Sequence, residues 1–320
     1  MHSFEFDVSF ILPHKGRENL LKETLASIAA QDFDLNRVQV VIVTQNEQLS
    51  SDALSVISGI ASKIIYRPPN ETISTLRNAG VESSGGEYLA FLDSDISLKS
   101  NWISAMMEEL TRIPNCVTTS AVQVCGEQAP PLEIIRTGLS NAVIDSEVKF
   151  LPGRNLFLRR GTFEQVGGFP EHLVTCEDYY FTDKVSNLGK LYYTSKSEYV
   201  HLGEDKEYGQ MFKKEIWRGQ SNLQSIKGRK IPFSEIPSFL VPIWIGLCCL
   251  AAVVCLLLLN FLMFVFFIVL ALLPVFLYSL RLSGLMRGKL GFYPIIKFYL
   301  LYFPARVLGT FVGLFKVIKI

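Results

Sequence analysis

From Ile236 to Ile320 the chain has no Asp and no Glu. The same stretch holds seven basic residues: Arg281, Arg287, Lys289, Lys297, Arg306, Lys316 and Lys319. The first 235 residues therefore carry 24 basic and 30 acidic side chains, a net of −6 within a total of +1. An acidic body excludes a general nucleic-acid binder, which needs a basic face. A basic, acid-free, apolar end is what a membrane-embedded segment looks like. Cysteine is sparse and unpatterned. Cys116, Cys125, Cys176, Cys248, Cys249 and Cys255 form no C-x-x-C pair and stand near no His at zinc spacing. That excludes a structural zinc site and fits reduced thiols in a cytosol-facing protein. No Gly-x-Gly-x-x-Gly follows the first apolar strand, which excludes a dinucleotide fold. Met1 to Asp7 has two acids and no apolar core, so no signal peptide is expected there. Repeats and low-complexity stretches are missing too.

Long apolar runs dominate the last quarter of the 320 residues. Phe239–Leu259 is 21 residues without a charge, and Phe261–Leu280 is another 20. One helix over both would be about 60 Å long, twice the hydrocarbon thickness. The run must fold back near Asn260, giving two transmembrane helices at about 239–259 and 261–280. A soluble core hairpin would need a polar face, and neither run has one. Lys227, Arg229 and Lys230 precede the first run, Arg281, Arg287 and Lys289 follow the second, and the turn has no Lys or Arg. Both outer flanks are therefore expected on the cytosolic side of the inner or plasma membrane. Residues 291–318 are apolar but interrupted by Lys297 and Arg306, with Pro294 and Pro304 as helix breakers. A pair of interfacial helices is expected there in preference to a third crossing. The composition break divides the chain into a body, 1–235, and a multi-pass membrane domain, 236–320.

The body alternates strands and helices. Val8–Leu12, Val38–Val43, Ile64–Tyr66 and Tyr88–Leu92 read as buried strands, the first ending at Pro13. Leu20, Leu21, Leu25, Ile28 and Ala29 recur at helical spacing, and a helix is expected over 74–82. This is an α/β pattern with a mostly parallel sheet, whose ligands bind beyond the carboxyl ends of the strands. The fourth strand runs into Asp93-Ser94-Asp95. Two carboxylates at i and i+2 on such a rim suit Mg²⁺ or Mn²⁺, which take oxygen ligands and share them with phosphates. An acid-x-acid triplet is also ordinary turn chemistry. Ser100 is expected to cap the next helix, whose apolar face is Trp102, Ile103, Met106, Met107 and Leu110.

Five ordered blocks extend the triplet: VSFILPHKGRENLLKETLASIAAQ, LRNAG, GGEYLAFLDSD, LPGRNLFLRRGTFEQVGGF and CEDYYFTDKVSNLGKLYYTSKSEYVH. Over roughly residues 8–225 the chain resembles the family 2 glycosyltransferases of the GT-A fold, several branches of which also have a C-terminal membrane hairpin. The resemblance implies a metal-dependent, inverting transfer from a nucleotide-sugar donor to a glycan or lipid-linked acceptor at the cytosolic membrane face. It puts Asp95, Asp93 and His201 at a Mn²⁺ or Mg²⁺ ion, with Asp93 also near the ribose. Pro13, His14, Arg17, Thr44, Arg77, Asn78 and Ser94 fall at nucleotide or diphosphate positions, and one of Arg159 and Arg160 faces the diphosphate. Asp178 would take the acceptor proton and Glu177 would orient it. Trp217-Arg218-Gly219 falls at an acceptor-side or phosphate-side position.

Two turns depart from the family pattern. Thr44-Gln45-Asn46-Glu47 stands where Asp-Asp-Gly-Ser is usual, and Pro13-His14-Lys15-Gly16-Arg17 where Pro-Thr-Tyr-Asn-Arg is usual. Altered base recognition follows, with neutral amides in place of a carboxylate. Transfer to polyprenyl phosphate and a non-catalytic assembly subunit remain as alternatives; a polysaccharide-exporting synthase is disfavoured, because two crossings make little channel wall. The sequence sets no oligomeric state.

Overall fold

Alternation with period two builds the sheet of the body. In the strand Phe6–His14 (β1), Val8, Phe10 and Leu12 enter one core while Ile11 enters the other. Val38–Thr44 (β2) does the same with Val40 and Ile42 against Val41 and Val43. A strand buried on both faces reads as a continuous apolar run, as these do. The computed structural model describes residues 4–126, 128–220, 233 and 236–318. Its other strands are β3 (Ala61–Tyr66), β4 (Gly86–Leu92), β5 (Ile96–Leu98), β6 (Cys116–Val124), β7 (Ser146–Val148), β8 (Asn155–Arg159) and β9 (Lys190–His201). The helices are α1 (Glu18–Ala29), α2 (Ser51–Ser55), α3 (Ile73–Glu82), α4 (Trp102–Arg112), α5 (Pro131–Ser140), α6 (Arg160–Val166), α7 (Glu177–Ser186), α8 (Tyr208–Gly219), α9 (Ile236–Leu257), α10 (Phe261–Met286) and α11 (Phe292–Ile318).

The described residues fall into two compact units, those within 1–126 and 143–203 and those within 127–142 and 204–320. The first holds one sheet in the order β3-β2-β1-β4-β8-β6-β9-β5, with β7 pairing β9. β1 to β4, β6 and β9 run in one direction, and β5, β7 and β8 run against them. One face packs Leu21, Leu25 and Ile28 of α1 and Trp102 and Met106 of α4. The other packs Leu76 and Val81 of α3, Phe163 of α6 and Phe181 and Val185 of α7.

β1 continues one residue past the expected stop, to His14. His14 O accepts from Gln45 N, so His14 faces β2 and Pro13 faces the β4 side. There the ladder has already ended at Ile11–Phe91, so the missing proline N–H breaks no bond. The α4 N-cap is Asn101, not Ser100, whose hydroxyl donates to Asp32 Oδ2 instead.

The second unit is helical. Leu132 and Ile135 of α5, Met211 of α8, Val275 and Leu282 of α10 and Phe298 of α11 share one core. The composition break near Ile236 therefore does not divide the contacts: amphipathic α5 and α8 bury their apolar sides among α9, α10 and α11. α9 and α10 meet at Asn260, as expected, and its Oδ1 accepts from Met263 N to cap α10. Around that turn Leu257, Leu258, Leu259, Phe261 and Leu262 are all exposed. α9, α10 and residues 292–314 of α11 are each long and apolar enough to cross a membrane. α11 is one helix, not the expected broken pair. Pro294 lies in its first turn, where an N–H has no helical acceptor anyway, and Pro304 is carried inside it. α8 lies against α11 so closely that a Cβ on Gly219 would come 3.0 Å from Gly309 Cα. Lys227, Arg229 and Lys230 lie outside the described residues.

Candidate active site

The carboxyl rim of the sheet carries a row of polar side chains. β4 ends at Leu92, so Asp93 is the first residue past the strand. Ser94 and Asp95 make the turn into β5. Leu92 pairs with Asn155 and Asp93 N donates to Arg154 O, which places Arg154, just before β8, beside Asp93. Arg154 Nε donates to Tyr199 OH at 2.9 Å and its Nη2 to Gln123 Oε1 at 2.9 Å. Two residues beyond Tyr199, His201 pairs with Ile96 of β5 and brings its ring to Asp95.

Arg77 ties the rim to the start of α7. It is buried in α3, donating from Nη2 to Asp93 Oδ1 at 3.0 Å and from Nη1 to Glu177 Oε1 at 2.8 Å. A side chain at Gly153 would press within 2.9 Å of its guanidinium. Arg77, expected at a nucleotide or diphosphate position, is enclosed in this structure and holds two acids. Burial disfavours its charge, but Asp93, Glu177 and Asp178 outweigh that and raise its pKa. The pKa of Glu177 rises too, which for a carboxylate disfavours the charged form. Burial, then the charge of Asp178, push it up to about 7 despite Arg77.

Asp178 differs from its neighbour. It is half-buried, while Glu177 is buried. Its Oδ2 accepts from Gly153 N at 3.2 Å and its Oδ1 from Tyr179 N at 2.8 Å. Cys176, just before the pair, is left-handed at φ 64°, and that turn aims both acids.

Asp95 and His201 come together, with Oδ1 and Nε2 3.4 Å apart. Arg17, from the turn after β1, donates to the other oxygen, Oδ2, at 2.7 Å. Burial would raise the Asp95 pKa, but His201 and Arg17 together hold it below the usual carboxylate value. The expected three-ligand set is not assembled: Asp93 turns to Arg77, and no cluster of three or more His, Cys, Asp or Glu for a metal occurs among the described residues. The pair that remains, one carboxylate and one imidazole, fits a divalent cation that takes its other ligands from phosphate and water.

The other expected site residues separate into two groups. His14 and Thr44 meet at the ends of β1 and β2, with Nδ1 and Oγ1 2.9 Å apart. His14 Nε2 is buried with no hydrogen-bond partner among the described residues, and burial lowers the pKa of the ring. Beside them an open pocket of about 370 Å³ is lined by Gln45, Asn46, Tyr66 and Arg67, among others. The Gln45 amide is already engaged, donating to Pro68 O and Glu71 O. Pro13 is buried in the strand. Asn78 is placed elsewhere than expected: it bonds Phe169 N, Phe169 O and Glu171 Oε1, fastening a loop. Arg159 and Arg160 sit at the wrong end of β4 for a diphosphate. Arg159 pairs with Tyr88 and lies over its ring, and Arg160 donates to Gly86 O and Ser84 O. Trp217 and Arg218 belong to the helical unit, where Arg218 donates to Glu215. Arg154 is a rim residue with one signal in the sequence, a lone cation entering an apolar strand inside the LPGRN block.

Residues 9–167 match the model of glycosyl transferase family 2. The chain carries a family 2 glycosyltransferase domain. Glycosyltransferase AglE of Haloferax volcanii is 22% identical over 74% of this chain and 79% of its own length. Succinoglycan biosynthesis protein ExoM of Rhizobium meliloti is 31% identical, but over 33% of this chain and 34% of its own. Among solved structures, mannosyltransferase PcManGT from Pyrobaculum calidifontis, in complex with GDP-Man and Mn²⁺, superposes with a TM-score of 0.63 at 16% identity, over 98% of this chain and 91% of that one. The glycosyltransferase fold is therefore of the GT-A type, with three C-terminal apolar helices appended.

Proposed function

We propose that this glycosyltransferase moves a sugar from a nucleotide-sugar to a glycan or lipid-linked acceptor, with inversion, at the cytosolic face of a membrane. The observation that carries the reading is Arg77. By bonding Asp93 and Glu177 at once, it makes the sheet rim and the start of α7 parts of one site. Asp178 is the group we assign as base. It keeps solvent access and can receive the acceptor's hydroxyl proton, while Glu177 is enclosed and helps fix the turn. Asp95 and His201 would hold a divalent cation, Mn²⁺ before Mg²⁺. When bound, that cation supplies positive charge beside the diphosphate leaving group. His14, Thr44 and the pocket at Gln45 and Arg67 would receive the nucleoside end. A neutral His14 replaces the usual threonine there, so base preference is expected to depart from that of relatives.

The membrane side of the proposal rests on α9 and α10, with their bare apolar turn, and on α8. Polar α8 accompanies α11 and keeps Glu215 within 3.6 Å of Arg306. A helix so accompanied suits the interface better than a crossing. Confinement at a lipid surface would raise the effective concentration of a lipid-linked acceptor, polyprenyl phosphate among them.

A thermal-shift panel of nucleotide-sugars with and without Mn²⁺ tests the donor side, and the GDP-Man held by PcManGT makes it a sensible first probe. A metal-dependent shift that disappears in Asp95→Asn is expected; no shift with any donor overturns the reading. Asp178→Asn should lower transfer by about 10²–10⁴-fold while donor binding persists. Wild-type turnover in that variant would show the base to be another group.

A further inference from the structure

We infer that Arg17 is an internal counterion of Asp95 that makes cation and donor binding depend on one another. The inference rests on the reading of Asp95 and His201 as the cation site. Arg17 reaches across from the turn after β1 to take Asp95 Oδ2 at 2.7 Å. The opposite oxygen, Oδ1, faces His201 Nε2. A divalent cation bound to Asp95 and a guanidinium bound to the same carboxylate would be like charges a few ångströms apart, so one displaces the other. Arg17 is the solvent-facing partner. Its side chain is 59% exposed against 12% for Asp95. It hangs from a turn in which Gly16 adopts φ 85°.

The chain keeps room for this pair. A Cβ at Gly203 would collide with Asp95 Oδ2 and come 2.9 Å from Arg17 Nη1. A released guanidinium needs a new anion, and a diphosphate matches its planar fork. The donor thus takes Arg17 as the cation takes Asp95. Either ligand alone must displace the ion pair with less in return, so each tightens the other. Arg17 is in this way more than a donor contact: it sets the linkage between two ligands.

The test uses the full-length protein in detergent, with Mn²⁺ binding followed by electron paramagnetic resonance, with and without GDP or UDP. In wild type, Mn²⁺ alone should bind weakly and tighten by about 5–150-fold once a nucleoside diphosphate that binds is present. In Arg17→Gln, Mn²⁺ alone should bind several-fold tighter than in wild type, and most of the tightening by nucleotide should vanish. Arg17→Lys keeps the charge and should stay close to wild type for Mn²⁺ alone. Unchanged or weaker Mn²⁺ binding in Arg17→Gln, with Asp95→Asn abolishing it, overturns the inference and leaves the cation site standing. Mn²⁺ binding that survives Asp95→Asn, or that wild type lacks altogether, overturns the cation site and the inference with it.

Discussion

Two arginines, buried Arg77 and half-buried Arg136, one in each unit, hold two acids apiece, yet the glutamate in each set shifts in the opposite direction. Arg77 bonds Asp93 and Glu177; Arg136 bonds Asp205 at 3.0 Å and Glu215 at 2.6 Å. Glu177 is nonetheless pushed up to about 7, by burial and by Asp178. Glu215 is buried as well, yet Arg136, Arg218 and Arg306 outweigh burial and hold it below the usual carboxylate range. Asp205 has a second cation too, Lys214 at 2.7 Å. The difference is charge balance. Surplus cations make Arg136 part of a clamp, whereas a shortage of them leaves Glu177 able to titrate near neutrality. Perturbed acids of that second kind gather at working sites.

The comparison breaks first at Arg77. Arg77→Met leaves two acids without their shared cation and should cost about 3–5 kcal/mol, read as a large drop in Tm. Arg136→Met should cost less, about 1–3 kcal/mol, because Lys214, Arg218 and Arg306 remain. Equal losses would mean that the surplus cations contribute nothing. A pH series sharpens the contrast further. Glu177 has its pKa raised from 4.5 to about 7, so its contribution to stability is full below the unfolded value and is lost as pH rises through about 7. Glu215, depressed, contributes above its unfolded value and loses that as pH falls. Between about pH 5 and 8, wild type should therefore lose Tm relative to Glu177→Gln. Parallel curves would refute the raised pKa. The smallest effect belongs to Arg218→Ala. Its side chain is 39% exposed, so removal should shift stability by less than about 1 kcal/mol.

Much of this architecture was legible from local pattern. Apolar runs such as Tyr88–Leu92 mark buried strands, and Asp93 and Asp95 fall at a rim because a strand leads into them. Asn260 was the one polar residue at which the long apolar run could turn. What escaped depended on contacts between distant segments. Arg77 reads as a nucleotide or diphosphate contact until α7 brings Glu177 to it, a hundred positions later. Arg154 gains its place only through the antiparallel register of β8 on β4. The grouping of α5 and α8 with the apolar helices crosses a composition break that points the other way. Pro304 failed as a helix breaker because its surroundings hold α11 together: Phe303 is buried against Tyr278 and Tyr299.

Cys176 stands at φ 64° in a position that glycine would occupy more cheaply, since a left-handed backbone costs other residues about 1–2 kcal/mol. Glycine would also let that joint swing, because it populates both hands of the backbone. A thiol-bearing residue there confines the pivot to fewer conformations, at the expense of some folding energy. The aim of Glu177 and Asp178 is thus secured by narrowing what the hinge before them can do.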